Sequence, residues 1–257
     1  MQHKPKIMGI LNVTSDSYFK ESRAMSEKEI AKRLETLVSE GTDIIDIGAC
    51  STRPGAKLVE SKEEWDNLSR ALTIINKSYP DTLISIDTFR SEIVRKSFDL
   101  IGPFIINDIS AGEDDKNMLQ TVAKLGLEYV AMHKRGTPET MQNHCQYADV
   151  VGDIIDYFKD FEQKATNTGI TNWILDPGFG FSKTIEQNYE LLDRLDEFKI
   201  LQRPILIGIS RKSFIYKKLN TTPENVLKET TELHKLAISK GANILRVHDV
   251  AEAKNIL

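Results

Sequence analysis

The stretch IMGILNVTSDSYF, Ile7 to Phe19, reads as a buried strand that empties into a polar loop. A strand covered on both faces carries a near-continuous apolar run, and Ile7, Met8, Ile10, Leu11 and Val13 supply one. The residues after the run decide the architecture. A doubly wound open sheet needs a glycine-rich turn after its first strand, where backbone must come close to a phosphate. The segment NVTSDSYF (12–19) contains no glycine. The other home for repeated strand and helix is a closed (β/α)8 barrel.

The rest of the chain keeps the same rhythm. Short apolar runs closed by polar residues or glycine recur at 7–13, 43–49, 83–87, 104–109, 129–133, 173–178, 205–210 and 244–248. Between them lie stretches with helical spacing. In 26–41, Ser26 and Glu29 form a capping box, Ile30, Leu34, Leu37 and Val38 form a stripe, and Gly41 ends the helix. The stretches 147–169 and 184–198 repeat the arrangement, and Gly126, Gly169 and Gly241 stand where helices should stop. No linker or low-complexity tract divides the chain. The expectation is α/β, one domain over 1–257: a single (β/α)8 TIM barrel with long loops after strands 1 and 2, about 14–25 and 50–62.

Composition narrows the partners. The formal net charge of −4 leaves no surplus of cations for nucleic acid. The 2 cysteines, Cys50 and Cys145, make neither a disulfide framework nor a zinc site. The first residues, MQHKPKIMGILNV, are broken by Gly9 and Asn12, so they read as neither a signal peptide nor a membrane span. A cytoplasmic protein that handles small molecules is expected.

In such a barrel the site gathers at the C-terminal ends of the strands. Those ends read Asn12; Ser51, Thr52 and Arg53; Asp87; Asn107 and Asp108; His133; Asp176; Ser210 to Ser213; and Arg246, His248 and Asp249. One polar strand end is an ordinary turn former, but eight on one rim are not. Arg53, Lys212, Arg246 and His248 suit phosphate or carboxylate. Asp87, Asn107 and Asp176 supply acceptors for an NH-rich heterocycle, and Asn107 also offers amide donors. Ser213 falls in the first turn of a helix, where free N–H groups hold an anion. A Schiff-base role for Lys212 fits less well, since Ser210 and Arg211 beside it do not make a dry pocket.

Taken together, the motifs resemble the dihydropteroate synthases, pterin-binding TIM barrels. The resemblance rests on GILNVTSDS (9–17), DIGACSTRPGA (46–56), SIDTF (85–89), INDISAG (106–112), MHKRGTPETMQ (132–142), LDPGFGFSKT (175–184), GISRKSFI (208–215) and RVHDV (246–250). It implies a magnesium-assisted transfer of a dihydropterin from its diphosphate to p-aminobenzoate, a homodimer and a sulfonamide target. By motif position it places Asp87, Asn107, Asp176 and Lys212 on the pterin, with Arg246 against the ring face. Asn12, Arg246 and His248 fall on the diphosphate, Asn12 also beside Mg²⁺. Thr52, Arg53, Pro54, Phe181, Lys212 and Ser213 fall on p-aminobenzoate. Asn12, Asp87, Lys212, Arg246 and His248 form the implied catalytic set. The chain departs from the family pattern at Ser15, Lys20, Glu21, Cys50, Ser182 and Glu229. Two rivals share parts of the pattern. A methyltetrahydrofolate:corrinoid methyltransferase would share the acceptor row but has no use for Arg246 with His248 or for SRKS. A pterin-binding paralogue without turnover would keep the ligands and lack the reaction.

Overall fold

A computed structural model describes residues 4–14, 25–50, 59–137 and 139–257. Eight parallel strands follow chain order: β1 (Lys6–Asn12), β2 (Ile44–Gly48), β3 (Leu83–Asp87), β4 (Ile105–Asp108), β5 (Glu128–Met132), β6 (Trp173–Asp176), β7 (Leu206–Ile207) and β8 (Ile244–Val247). β1 pairs with both β2 and β8, so the first and last strands are neighbours. The seam between β6 and β7 is held by a bridge from Leu175 to Ile205 and by the Leu175 N–H, which donates to the Pro204 carbonyl at 3.0 Å. The expected (β/α)8 barrel is the fold.

Helices α1 (Glu27–Ser39), α2 (Ser61–Ser78), α3 (Ser91–Ile101), α4 (Met118–Leu125), α5 (Val150–Thr168), α6 (Ile185–Asp193), α7 (Ser213–Lys218), α8 (Leu227–Lys240) and α9 (Val250–Lys254) surround it. The Ser26–Glu29 capping box forms as its spacing predicts, and Ile30, Leu34 and Leu37 turn α1 onto the barrel. The expected helix over 184–198 breaks instead. α6 stops at Asp193 and a 3₁₀ segment runs Leu195–Leu201, burying Leu195, Phe198 and Leu201. That spacing of three matches a helix with three residues per turn.

Strand side chains alternate between faces, so positions two apart share the barrel interior. Met8, Ile44, Ile105, Val130, Ile174, Leu206 and Ile244 form an apolar plug inside it, separate from the larger core between sheet and helices. Two residues along, the same inward row becomes Ile10, Asp46, Asn107, Met132, Asp176, Gly208 and Arg246. The polarity of the interior therefore switches within one repeat of the pleat. The plug stabilises the barrel, and the layer above it forms the floor of the mouth.

The outer core holds a buried histidine that titrates. His234 of α8 is buried, its Nε2 has no hydrogen-bond partner among the described residues, and burial pulls its pKa down to about 4 against the opposing charge of Asp249. A depressed folded pKa means the proton is refused by the folded state. Stability is then complete above the unfolded value near 6.5 and is lost as pH falls toward 4. From pH 7 to pH 5 the expected loss is about 2 kcal/mol in urea unfolding. The His234→Leu variant should lack this part of the slope, and an unchanged slope would contradict the assignment.

Candidate active site

A buried carboxylate organises the floor. Asp46, fully buried in β2, accepts from Ser85 Oγ at 2.6 Å, from Arg246 Nε at 2.7 Å and from Asn107 Nδ2 at 3.3 Å to each oxygen. Arg246 also donates through Nη2 to Asp87 Oδ2 at 2.8 Å. Because Asn107 points its amide nitrogen down to Asp46, its amide oxygen faces the mouth. Asp87 and Asn107 are paired in register, and Asn12 and Gly48 continue the row across β1 and β2. A side chain on Gly48 would come within 3.3 Å of Asn12 Oδ1 and 3.6 Å of Asp87 Oδ2, so the glycine keeps the space between them clear. Burial first, and then the nearby Asp46 charge, push Asp87 above the usual carboxylate range, while Arg246 pulls it back.

Strand-end reading passes over Asp46, because it lies in mid-strand within an apolar run. The signal that finds it is parity, since it stands two residues after inward Ile44 and shares a layer with Arg246.

Opposite this row, β6 ends at Asp176, whose Oδ1 accepts from the Gly178 N–H at 2.8 Å. Burial raises the Asp176 pKa; that hydrogen bond and the charges of Lys212, Arg246 and Lys183 oppose the rise. The loop beyond winds around Lys183, a buried lysine that donates to the carbonyls of Gly178 (2.9 Å) and Phe181 (3.0 Å) and lies 3.1 Å from His133 Nδ1. Burial lowers the Lys183 pKa to about 7. Gly178, at φ 74, admits no other residue, because a Cβ would sit 2.0 Å from the His133 carbonyl oxygen. Ser182 takes a left-handed φ of 47 where the family pattern leads one to expect glycine, and its Oγ accepts from the Arg135 N–H at 2.8 Å.

The loop delivers Phe181 to the mouth, with Lys212 Nζ 4.3 Å above its ring centroid. Ile109, Met132, Met141 and Phe181 form an apolar wall there. The segment SRKS divides in two. Ser210 Oγ accepts from the His248 N–H at 3.1 Å, and Arg211 pairs with Asp249 through two contacts of 2.8 Å, so this half ties the β7 loop to the β8 loop. Lys212 and Ser213 open α7 on the mouth side, Lys212 as N-cap.

The structure thus gathers Asp87, Asn107, Asp176, Phe181, Lys212, Ser213 and Arg246 around one mouth, with Asn12 at the end of β1 and His248 beyond β8. Asp108 and His133 end strands but serve the scaffold. Asp108 accepts from Tyr129 OH and Ser110, and His133 is buried against Lys183 and Tyr157. Thr52, Arg53 and Pro54 lie outside the described residues, as do Ser15, Asp16, Tyr18, Phe19, Lys20 and Glu21. Among the described residues no group of three His, Cys, Asp or Glu side chains could hold a metal ion, and no helix is long and apolar enough to cross a membrane. The mouth sets the oxygens of Asp87 and Asp176 and the Asn107 side chain beside the cations Lys212 and Arg246.

Comparison with known proteins identifies the family. The model of the pterin-binding enzyme family matches residues 8–248. The dihydropteroate synthase of Escherichia coli is 38% identical over 250 residues, covering 96% of this chain and 88% of the relative. A Yersinia pestis dihydropteroate synthase crystallised with a sulfonamide drug superposes with a TM-score of 0.92 at 34% identity, over 98% of this chain and 91% of that one. The enzyme from Clostridium difficile, solved in the presence of pteroic acid, superposes at 0.90 with 36% identity, over 99% and 95%. With its barrel and motifs matched over nearly the whole length, the chain belongs to the pterin-binding enzyme family and, within it, to the dihydropteroate synthases.

Proposed function

We propose that this transferase of folate biosynthesis joins 6-hydroxymethyl-7,8-dihydropterin diphosphate to p-aminobenzoate, giving 7,8-dihydropteroate and diphosphate. One observation carries the reading: the inward acceptors Asp87, Asn107 (through its amide oxygen) and Asp176 stand above an apolar plug. The 2-amino-4-oxo edge of a pterin presents ring N–H and amine donors, the complement of that row. Asp87, Asn107 and Asp176 read this edge, Lys212 binds the ring from the Phe181 side, and Arg246 covers a face of the ring. Asn12, Arg246 and His248 hold the diphosphate.

Asn12 offers one hard oxygen, which suits Mg²⁺, an ion that usually takes few protein ligands and completes its shell with substrate phosphates and water. When bound, Mg²⁺ supplies charge neutralisation on the departing diphosphate. The arylamine of p-aminobenzoate is a weak nucleophile, so the reading is dissociative: diphosphate leaves before the amine attacks. Arg246 and His248 act by stabilising negative charge on the leaving group, and no strong base is needed. Thr52, Arg53, Pro54, Phe181 and Lys212 line the p-aminobenzoate side, and Ser213 with the start of α7 receives its carboxylate. Sulfonamide binding is part of the same reading, and the Yersinia relative was solved in complex with such a drug. A homodimer working in the cytoplasm is part of the same reading and rests on the family resemblance.

The reaction is tested by supplying both substrates with Mg²⁺ and following diphosphate release. Release that depends on p-aminobenzoate is expected; pterin binding without release would leave a non-catalytic paralogue. Within that assay, Ser213→Ala should raise KM for p-aminobenzoate about tenfold while moving the pterin KM little, the cost of a lost hydrogen bond to a charged group. Equal rises in both would show that Ser213 does not divide the substrates in this way.

A further inference from the structure

We infer that Arg33, on the outer helix α1, is a positioning residue for the diphosphate subsite and acts through the His248 peptide. The inference rests on the proposed role of His248. β8 ends at Val247, so His248 is the first residue past the ladder and its backbone must be fixed by other means. Both of its peptide groups are held from different elements. The N–H donates to Ser210 Oγ at 3.1 Å from the β7 side, and the carbonyl accepts from Arg33 Nη2 at 2.8 Å from the β1 side. The next residue, Asp249, is gripped by Arg211.

Arg33 reaches across 215 positions of sequence to make its contact. Its own helix is anchored firmly: the capping box sets where α1 begins, and buried Ile30, Leu34 and Leu37 fix its roll. The guanidinium is therefore presented from a rigid element, and its charge-assisted bond is directional. A side chain that must meet a phosphate oxygen within a fraction of an ångström needs a fixed Cα–Cβ direction, which such a clamp on both flanking peptides provides.

The test compares dihydropterin diphosphate with 6-hydroxymethyl-dihydropterin lacking the diphosphate, each titrated in Mg²⁺ by calorimetry. The wild type, Arg33→Ala, Arg33→Lys, His248→Ala and the Arg33→Ala/His248→Ala double variant are compared. Arg33→Ala should weaken binding of the diphosphate form about tenfold and leave the ligand without diphosphate unchanged. Arg33→Lys should recover part of the loss. The double variant should be no weaker than His248→Ala alone, because the two residues act along one path. If His248→Ala weakens the diphosphate form while Arg33→Ala does not, the inference falls and the reading of His248 stands. Additive losses, or equal weakening of both ligands by Arg33→Ala, would also overturn it. No effect of His248→Ala would remove the reading and the inference together.

Discussion

Replacing Asp46 with asparagine is expected to destabilise the folded barrel by about 3–5 kcal/mol, the usual cost of breaking a buried ion pair from one side. Asp46 is 0% exposed and is the partner of Arg246 Nε, Ser85 Oγ and the Asn107 amide at once. An asparagine keeps the shape but turns one of its two oxygens into a donor. In the Oδ2 place that NH₂ would face the guanidinium of Arg246, and in the Oδ1 place it would face the NH₂ of Asn107 and could donate to Ser85 Oγ alone. Arg246 would keep Asp87 alone, so the floor would lose charge balance as well as a hydrogen bond. Urea unfolding followed by circular dichroism measures the loss. A change below about 1 kcal/mol would mean that Asp87 alone satisfies the arginine and that Asp46 is not the organiser.

The second large effect is expected at Asp176. Asp176→Ala removes the acceptor on the β6 side and leaves ring N–H donors of a bound pterin without partners. Unpaired buried donors cost about 1–3 kcal/mol, so pterin affinity should fall about tenfold to a hundredfold by calorimetry. Folding should suffer less than in the Asp46 variant, because among the described residues the hydrogen bond its side chain accepts is local, from the Gly178 N–H, and no arginine donates to it directly. Unchanged pterin affinity would count decisively against the edge-reading role.

The two variants also mark where the sequence was legible. Strand number, order of elements and the barrel follow from the recurrence of short apolar runs, and β3 falls over the expected 83–87. Polar strand ends point to Asp87, Asn107 and Asp176, and the structure places all three on the inward row at the C-terminal rim of the barrel. Strand-end position alone cannot separate Asn107 from Asp108. Only the pleat does: Asn107 turns inward to Asp46, whereas Asp108 turns outward to Tyr129. His133 has the same ambiguity and resolves toward Lys183.

Asp46 stayed hidden because strand-end reasoning discards mid-strand positions, although its two-residue offset from Ile44 was there to be read. Arg33 carries no local signal at all. Its role depends on α1 and the β8 loop meeting in space, which adjacent residues do not encode. SRKS shows the limit from the other side. Four neighbouring polar residues look like one binding surface, yet a left-handed turn at Arg211 (φ 54) sends the first pair to the scaffold and the second pair to the mouth.

A row that turns acceptor oxygens to the mouth should read the donor edge of a pterin, and the unaltered protein suffices to test it. Lumazine has the pterin skeleton with a carbonyl in place of the 2-amino group and an N–H in place of the ring N1 acceptor, so the 2-position assigned to Asp176 and Asn107 changes from donor to acceptor. Carboxylate and amide oxygens would then meet a carbonyl oxygen, with repulsion added to the lost bond. Calorimetric titration of the wild type should give pterin more than about a tenfold advantage over lumazine, or more than about 1.4 kcal/mol. Equal affinity for the two would contradict the edge-reading role of the row.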